Sequence, residues 1–177
     1  MAKAKSLLIV FLFFVTASAV SEDPDCDGYN RDEFQEERYK LCIKNGSLVS
    51  CDDGDYPEAT KGFYTGRSKG EKDCEKIHKD HVVSLYDAFC RGLPEKHWSD
   101  FANDRENHVA ACMSVNLSKR ESTPKDFLRK SCDGKGEEYS IVHWKEYLDI
   151  YYKILEKYDL LTQGEEKVYT LKESVCP

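Results

Sequence analysis

The residues best suited to chemistry cluster near the C-terminus, in His143-Trp144-Lys145-Glu146-Tyr147-Leu148-Asp149. On a helix, Trp144, Tyr147 and Tyr151 recur at three-and-four spacing and share one face, with His143 and Glu146 among them. An aromatic wall beside a carboxylate suits a cationic guest. The carboxylate pairs with an ammonium group, and the ring faces add cation–π attraction. Such a niche inside a helical domain would be a pocket with a few polar groups setting orientation. Other constellations carry less. Asp23-x-Asp25-x-Asp27-Gly28 copies the first half of a calcium loop, but its twelfth position is Phe34 where a bidentate Glu is needed, so it reads as an acidic arm. Asp52, Asp53 and Asp55 read as a solvated loop. His78 and His81 could share a metal across one helical turn, yet no third ligand or H-E-x-x-H pattern accompanies them, so no metal is expected. There is no G-x-S-x-G and no glycine-rich phosphate loop. The expected activity is therefore binding rather than catalysis, with no cofactor.

The chain of 177 residues carries 26 Lys+Arg, 33 Asp+Glu and eight cysteines, with a net charge of −7. Residues 1–19 read as a signal peptide: Lys3 and Lys5, an apolar run from Leu7 to Val15, then Ala17-Ser18-Ala19. The run is too short to span a bilayer, which takes about 20 residues. Its removal takes away two lysines and no acid, so the exported part, residues 20–177, is more acidic still. Nucleic acid is an improbable partner for such a chain, because phosphate binding needs a basic face. The expected product is one secreted, extracellular, monomeric domain without a membrane span.

Cys26, Cys42, Cys51, Cys74, Cys90, Cys112, Cys132 and Cys176 all follow the leader, and none forms a C-x-x-C pair. An even count behind a leader predicts disulfides rather than a zinc site. Asn45-Gly46-Ser47 and Asn116-Leu117-Ser118 are glycosylation sequons, which predicts that Asn45 and Asn116 are exposed.

The elements positioning these residues read mainly as helices, so the predicted class is all-α, a compact disulfide-stapled domain. A first helix is expected from Asn30 to Asp32 onward, with Asp32 and Gln35 spaced as a capping box. Residues 45–71 read as a glycine-rich loop stapled by Cys51. Cys74, Ile77, His78, His81, Val82, Leu85 and Phe89 predict a second helix, stopped by Gly92 and Pro94. On one helix Cys74 and Cys90 would lie about 24 Å apart, too far for the about 4–7 Å that a disulfide spans. A third helix is expected to carry Trp98, Phe101, Val109, Cys112 and Met113. A fourth is capped at Thr123-Pro124 and carries Phe127, Leu128 and Cys132. The last starts near Ser140, buries Trp144, Tyr147, Leu148, Tyr151, Leu155 and Tyr158, and ends at Gly164. An extended tail from Val168 to Leu171 then leads to Cys176.

Six cysteines, Cys26, Cys42, Cys74, Cys112, Cys132 and Cys176, resemble in order and spacing the short, single-domain D-seven salivary proteins of blood-feeding flies. These belong to the odorant-binding-protein superfamily. Tyr39-Lys40-Leu41-Cys42, the Cys112 to Cys132 interval, the closing Cys176-Pro177 and the 143–149 segment carry the resemblance. It implies an all-α fold with disulfides Cys26–Cys74, Cys42–Cys176 and Cys112–Cys132, and Cys51–Cys90 as an extra pair. It also implies capture of a small host mediator, a biogenic amine or an eicosanoid. Glu146 falls at the family's amine-binding glutamate and Phe127 at an aromatic position. His143 stands where the family has an aspartate; Ser47 and Glu71 replace a tyrosine and a histidine. The expected ligand site is thus Glu146, His143, Trp144, Tyr147 and Phe127. The alternative is an interaction protein that binds a host protein through its surface, with no small-molecule pocket.

Overall fold

A computed structural model describes residues 26–130 and 139–162. The predicted signal peptide, Cys132, Gly164, the Val168–Leu171 tail and Cys176 lie outside the described residues.

The all-α expectation is overturned. The described chain is mixed, with two antiparallel two-stranded sheets among short helices. After a 3-10 turn at Arg31–Phe34, strands β1 (Leu41–Lys44) and β2 (Ser47–Ser50) form a hairpin. Asn45 and Gly46 connect them, both at positive φ (51° and 84°), the backbone that a two-residue hairpin turn demands. Residues 57–59 add to the free edge of β1: Ile43 N–H donates to Pro57 O and Ala59 N–H to Leu41 O, at 2.8 and 2.9 Å.

The second predicted helix is instead strand β3 (Ile77–His81) followed by α1 (Leu85–Cys90). Ser84 divides them, its side chain accepting from the Asp87 N–H at 3.0 Å, the usual N-cap contact. Helix α2 (Trp98–Ala102) precedes strand β4 (His108–Cys112), and α3 (Met113–Lys119) follows without a loop. The predicted third helix is thus a helix, a strand and a second helix. β3 and β4 pair from Ile77↔Cys112 to His81↔His108. The apolar spacing in 74–89 fits a helix, but every β4 residue is buried and offers β3 a partner more than 25 residues away in sequence. Such long-range pairing overrides local propensity.

Helix α4 (Pro124–Lys130) begins at the predicted proline, and α5 (Trp144–Lys157) is the predicted last helix. Its cap residue is His143 rather than Ser140, and its helix ends at Lys157. Tyr147, Leu148, Tyr151, Tyr152, Ile154 and Leu155 are buried in a core with Phe34, Tyr64, Val82, Val83, Phe101 and Val115. Lys153 and Lys157 tie α5 to Glu106 at 2.6 and 2.9 Å. Among the described residues no helix is long and apolar enough to cross a membrane.

The disulfides also depart from those the resemblance implies. Cys26 bonds Cys90 rather than Cys74, Cys42 bonds Cys51 rather than Cys176, and Cys74 bonds Cys112. Cys51 and Cys90 are therefore not an extra pair. Cys42–Cys51 closes the hairpin locally, and Cys74–Cys112 clamps the outer end of the β3–β4 ladder. Gly62 runs over that clamp. A Cβ there would come within 2.9 Å of the Cys112 backbone nitrogen, and against its sulfur.

Candidate functional site

Strand β3 places alternating side chains on two sides of the sheet, but its last three residues owe their positions to charge and hydrogen bonding. Lys79 Nζ reaches Glu36 at 3.1 Å and donates to Glu37 O at 2.7 Å. Asp80 is buried; it accepts from the Tyr64 hydroxyl at 2.5 Å and lies 3.3 Å from Lys119 Nζ. Lys119 itself is fully buried and also donates to His81 O at 2.8 Å. Burial pushes the Asp80 carboxyl up, against the pull of Lys119. Arg31 joins the same group through Glu36 at 2.7 Å. Burial of Glu36 opposes its ionisation, yet the Arg31 and Lys79 contacts hold it at about 2.

Over this charged strand lies an open cleft of about 370 Å³. One wall is the start of α1, with Leu85 and Tyr86; Tyr29 packs edge-to-face on Tyr86 at 5.2 Å. The other wall is α3 and the turn after it, with Asn116, Leu117, Arg120 and Glu121. Leu117 is 61% exposed, the more exposed of two large apolar side chains that face solvent among the described residues. Arg120 turns the chain at φ 50°, and its Nε donates to Leu117 O at 3.2 Å. The cleft therefore joins an aromatic and aliphatic lining to cationic side chains on its rim. Two further lining residues, Asp80 and His81, are bonded to other protein groups: Asp80 to Tyr64 and Lys119, and His81 Nε2 lies 2.8 Å from Ala102 O.

The residues expected to form a ligand site divide between core and surface. Tyr147 and Phe127 are buried, their rings 5.6 Å apart, and both pack edge-to-face on Tyr64. The Tyr147 hydroxyl is buried without a hydrogen-bond partner among the described residues. Glu146 and His143 stand outside that core, with side chains 60% and 46% exposed and 3.8 Å apart. Trp144 is half-buried with Lys145 Nζ 5.4 Å from its ring centre. The structure brings His143 to Glu146 and Phe127 to Tyr147, but does not join the two pairs around one guest. His78 and His81 do not face a common ion: three residues apart on strand β3 they point to opposite faces, and His81 meets His108 instead.

Asn45 lies at the exposed hairpin turn, whereas Asn116 is half-buried on the cleft wall, its Nδ2 3.4 Å from Lys79 O. Sequence reasoning missed the cleft because its walls come from Tyr29, β3, α1 and α3, which are remote in sequence. The available signals were the Asn45-Gly46 turn and Ser84-x-x-Asp87, which mark the hairpin and the true start of α1. Comparison with known protein families, with curated proteins and with solved structures finds no match.

Proposed function

We propose that the protein is an exported, non-catalytic binding protein that captures a small ligand stoichiometrically in the cleft between β3, α1 and α3. The observation that carries this reading is the open cleft of about 370 Å³ lined by Tyr29, Leu85, Tyr86 and Leu117 beside charged side chains. That is a volume in the range of small-molecule sites, about 300–1,000 Å³, with the expected mixture of apolar lining and a few polar groups. Disulfides at Cys26–Cys90, Cys42–Cys51 and Cys74–Cys112 suit an oxidising, extracellular setting. The leader-like residues 1–19 point the same way. A kinship with the short-form D-seven salivary proteins would carry a similar role, though these three pairings are not the ones it implies.

A second reading is recognition of a host protein by the exposed start of α5. It is favoured by Val142, 54% exposed next to exposed His143 and Glu146.

Calorimetric titration of the purified protein with serotonin, with arachidonate and with indole-3-acetate tests the first reading. One-to-one binding of any of them, lost in Tyr86→Ala and kept in Glu146→Gln, is the expected result. Absence of binding by all three overturns it. Loss in Glu146→Gln with Tyr86→Ala unaffected would move the site to α5.

A further inference from the structure

Resting on the cleft as the binding site, we infer that its ligand is a small aromatic anion, held by the Arg120 guanidinium with its ring system against Tyr29 and Tyr86. The chemistry of the wall narrows the class. Three cations line it, Arg31, Lys79 and Arg120. Arg31 and Lys79 share the Glu36 carboxylate, so each already has a counter-charge. The lining Asp80 is matched by Lys119. Arg120 differs: its Nε donates to Leu117 O, and no described residue hydrogen-bonds or ion-pairs with its two terminal amino groups. A guanidinium presents those groups as a planar fork that fits a carboxylate or sulfonate. Glu121 lines the same wall, so the attraction is local to Arg120 rather than spread over the cleft. An ammonium guest would meet Arg31, Lys79 and Arg120 against one lining acid without a described counter-charge, Glu121, which disfavours amines.

The apolar part of the ligand follows from the opposite wall. Tyr29 and Tyr86 form an edge-to-face pair, and a flat ring adds to such a pair by stacking or edge contact. Leu117, exposed on the far side, would be covered by the same guest. Removing its apolar surface from water is favourable in proportion to area.

Two fluorescent probes of matched shape test the inference. 1-Anilinonaphthalene-8-sulfonate carries the anion; N-phenyl-1-naphthylamine has the same rings without it. The sulfonate should bind one-to-one and at least about tenfold more tightly than the neutral amine, the scale of one hydrogen bond to a charged group. Arg120→Gln should remove that preference, Arg120→Lys should restore part of it, and Tyr86→Ala should weaken both probes. Raised salt should weaken the sulfonate alone. If both probes bind equally, or if Arg120→Gln leaves the preference intact while Tyr86→Ala weakens both, the anion inference falls and the cleft reading stands. If neither probe responds to Tyr86→Ala, the cleft reading falls and takes the inference with it.

Discussion

His81 and His108 face each other across the β3–β4 ladder with their Nε2 atoms 3.0 Å apart, and both approach Ala102 O, at 2.8 and 3.0 Å. Tyr39 Oη caps the outer nitrogen of His108 at 2.8 Å. The Ala102 carbonyl by itself favours a proton on each ring, but burial outweighs it. Burial, followed by the nearby Lys79, pulls His108 down to about 4; burial and His108 lower His81.

A histidine that folds neutral and titrates low makes its full contribution above its unfolded pKa, about 6.5. That contribution fades as pH falls toward the folded value. Stability should therefore drop by a few kcal/mol between about pH 6.5 and pH 4. Urea unfolding at pH 7 and pH 5 measures this. The double variant His81→Gln, His108→Gln should show a flatter profile over that interval. An unchanged slope would mean that other groups govern it; Glu36 is not one of them, because its contribution is lost only below that interval, as pH falls from about 4.5 toward about 2.

Lys119 is a fully buried cation whose partners are Asp80 and the His81 carbonyl. Removing one member of a buried pair strands the other, at a cost of about 3–5 kcal/mol. Lys119→Met should lower the melting temperature steeply, whereas Asp80→Asn in the same chain should recover part of the loss. Thermal denaturation of the single and double variants reads this coupling. Equal losses that simply add would show that the two groups do not act as a pair.

Gly62 passes so close to Cys112 that a Cβ has no space. Gly62→Ala should destabilise by about 1–3 kcal/mol, the usual range for overpacking. By contrast, Gly46 has open space around it, and its substitution should act only through its positive φ, by about 1 kcal/mol. Chemical denaturation of both variants, with thiol titration of Gly62→Ala to check the Cys74–Cys112 bond, decides between them.

Asn116 sits on the cleft wall and Asn45 at a turn remote from it in the chain. A glycan on Asn116 would begin at the cleft mouth and should weaken small-ligand binding; one on Asn45 should leave it unchanged. Protein from a eukaryotic secretory host, compared with its Ser118→Ala and Ser47→Ala variants by probe titration, checks this. Stronger binding on loss of the Asn45 glycan would contradict the placement.

Elements whose signals are local could be read along the chain. α5 carries a full amphipathic stripe, and Tyr147, Leu148, Tyr151 and Leu155 bury as its spacing requires. α4 starts at Pro124 after Thr123, because capping and first-turn proline act over a few residues. The six cysteines among the described residues are bonded, as an even set in an oxidised chain should be. Their partners were not legible, because pairing depends on which segments meet in space. The same holds for β3 and β4. Ile77, His81, Val82 and Leu85 fit a helical stripe as well as they fit a strand followed by a helix, and only the buried edge of His108–Cys112 selects the strand. The binding site followed the fold. Glu146 and Tyr147 are neighbours in sequence, yet the tertiary packing sends one to solvent and the other to the core. Meanwhile Tyr29, Tyr86 and Arg120, spread over more than ninety residues, come to line one cleft. Short-range hydrogen bonding and side-chain period can be read along a chain; the choice among competing long-range contacts is made only when the whole core closes.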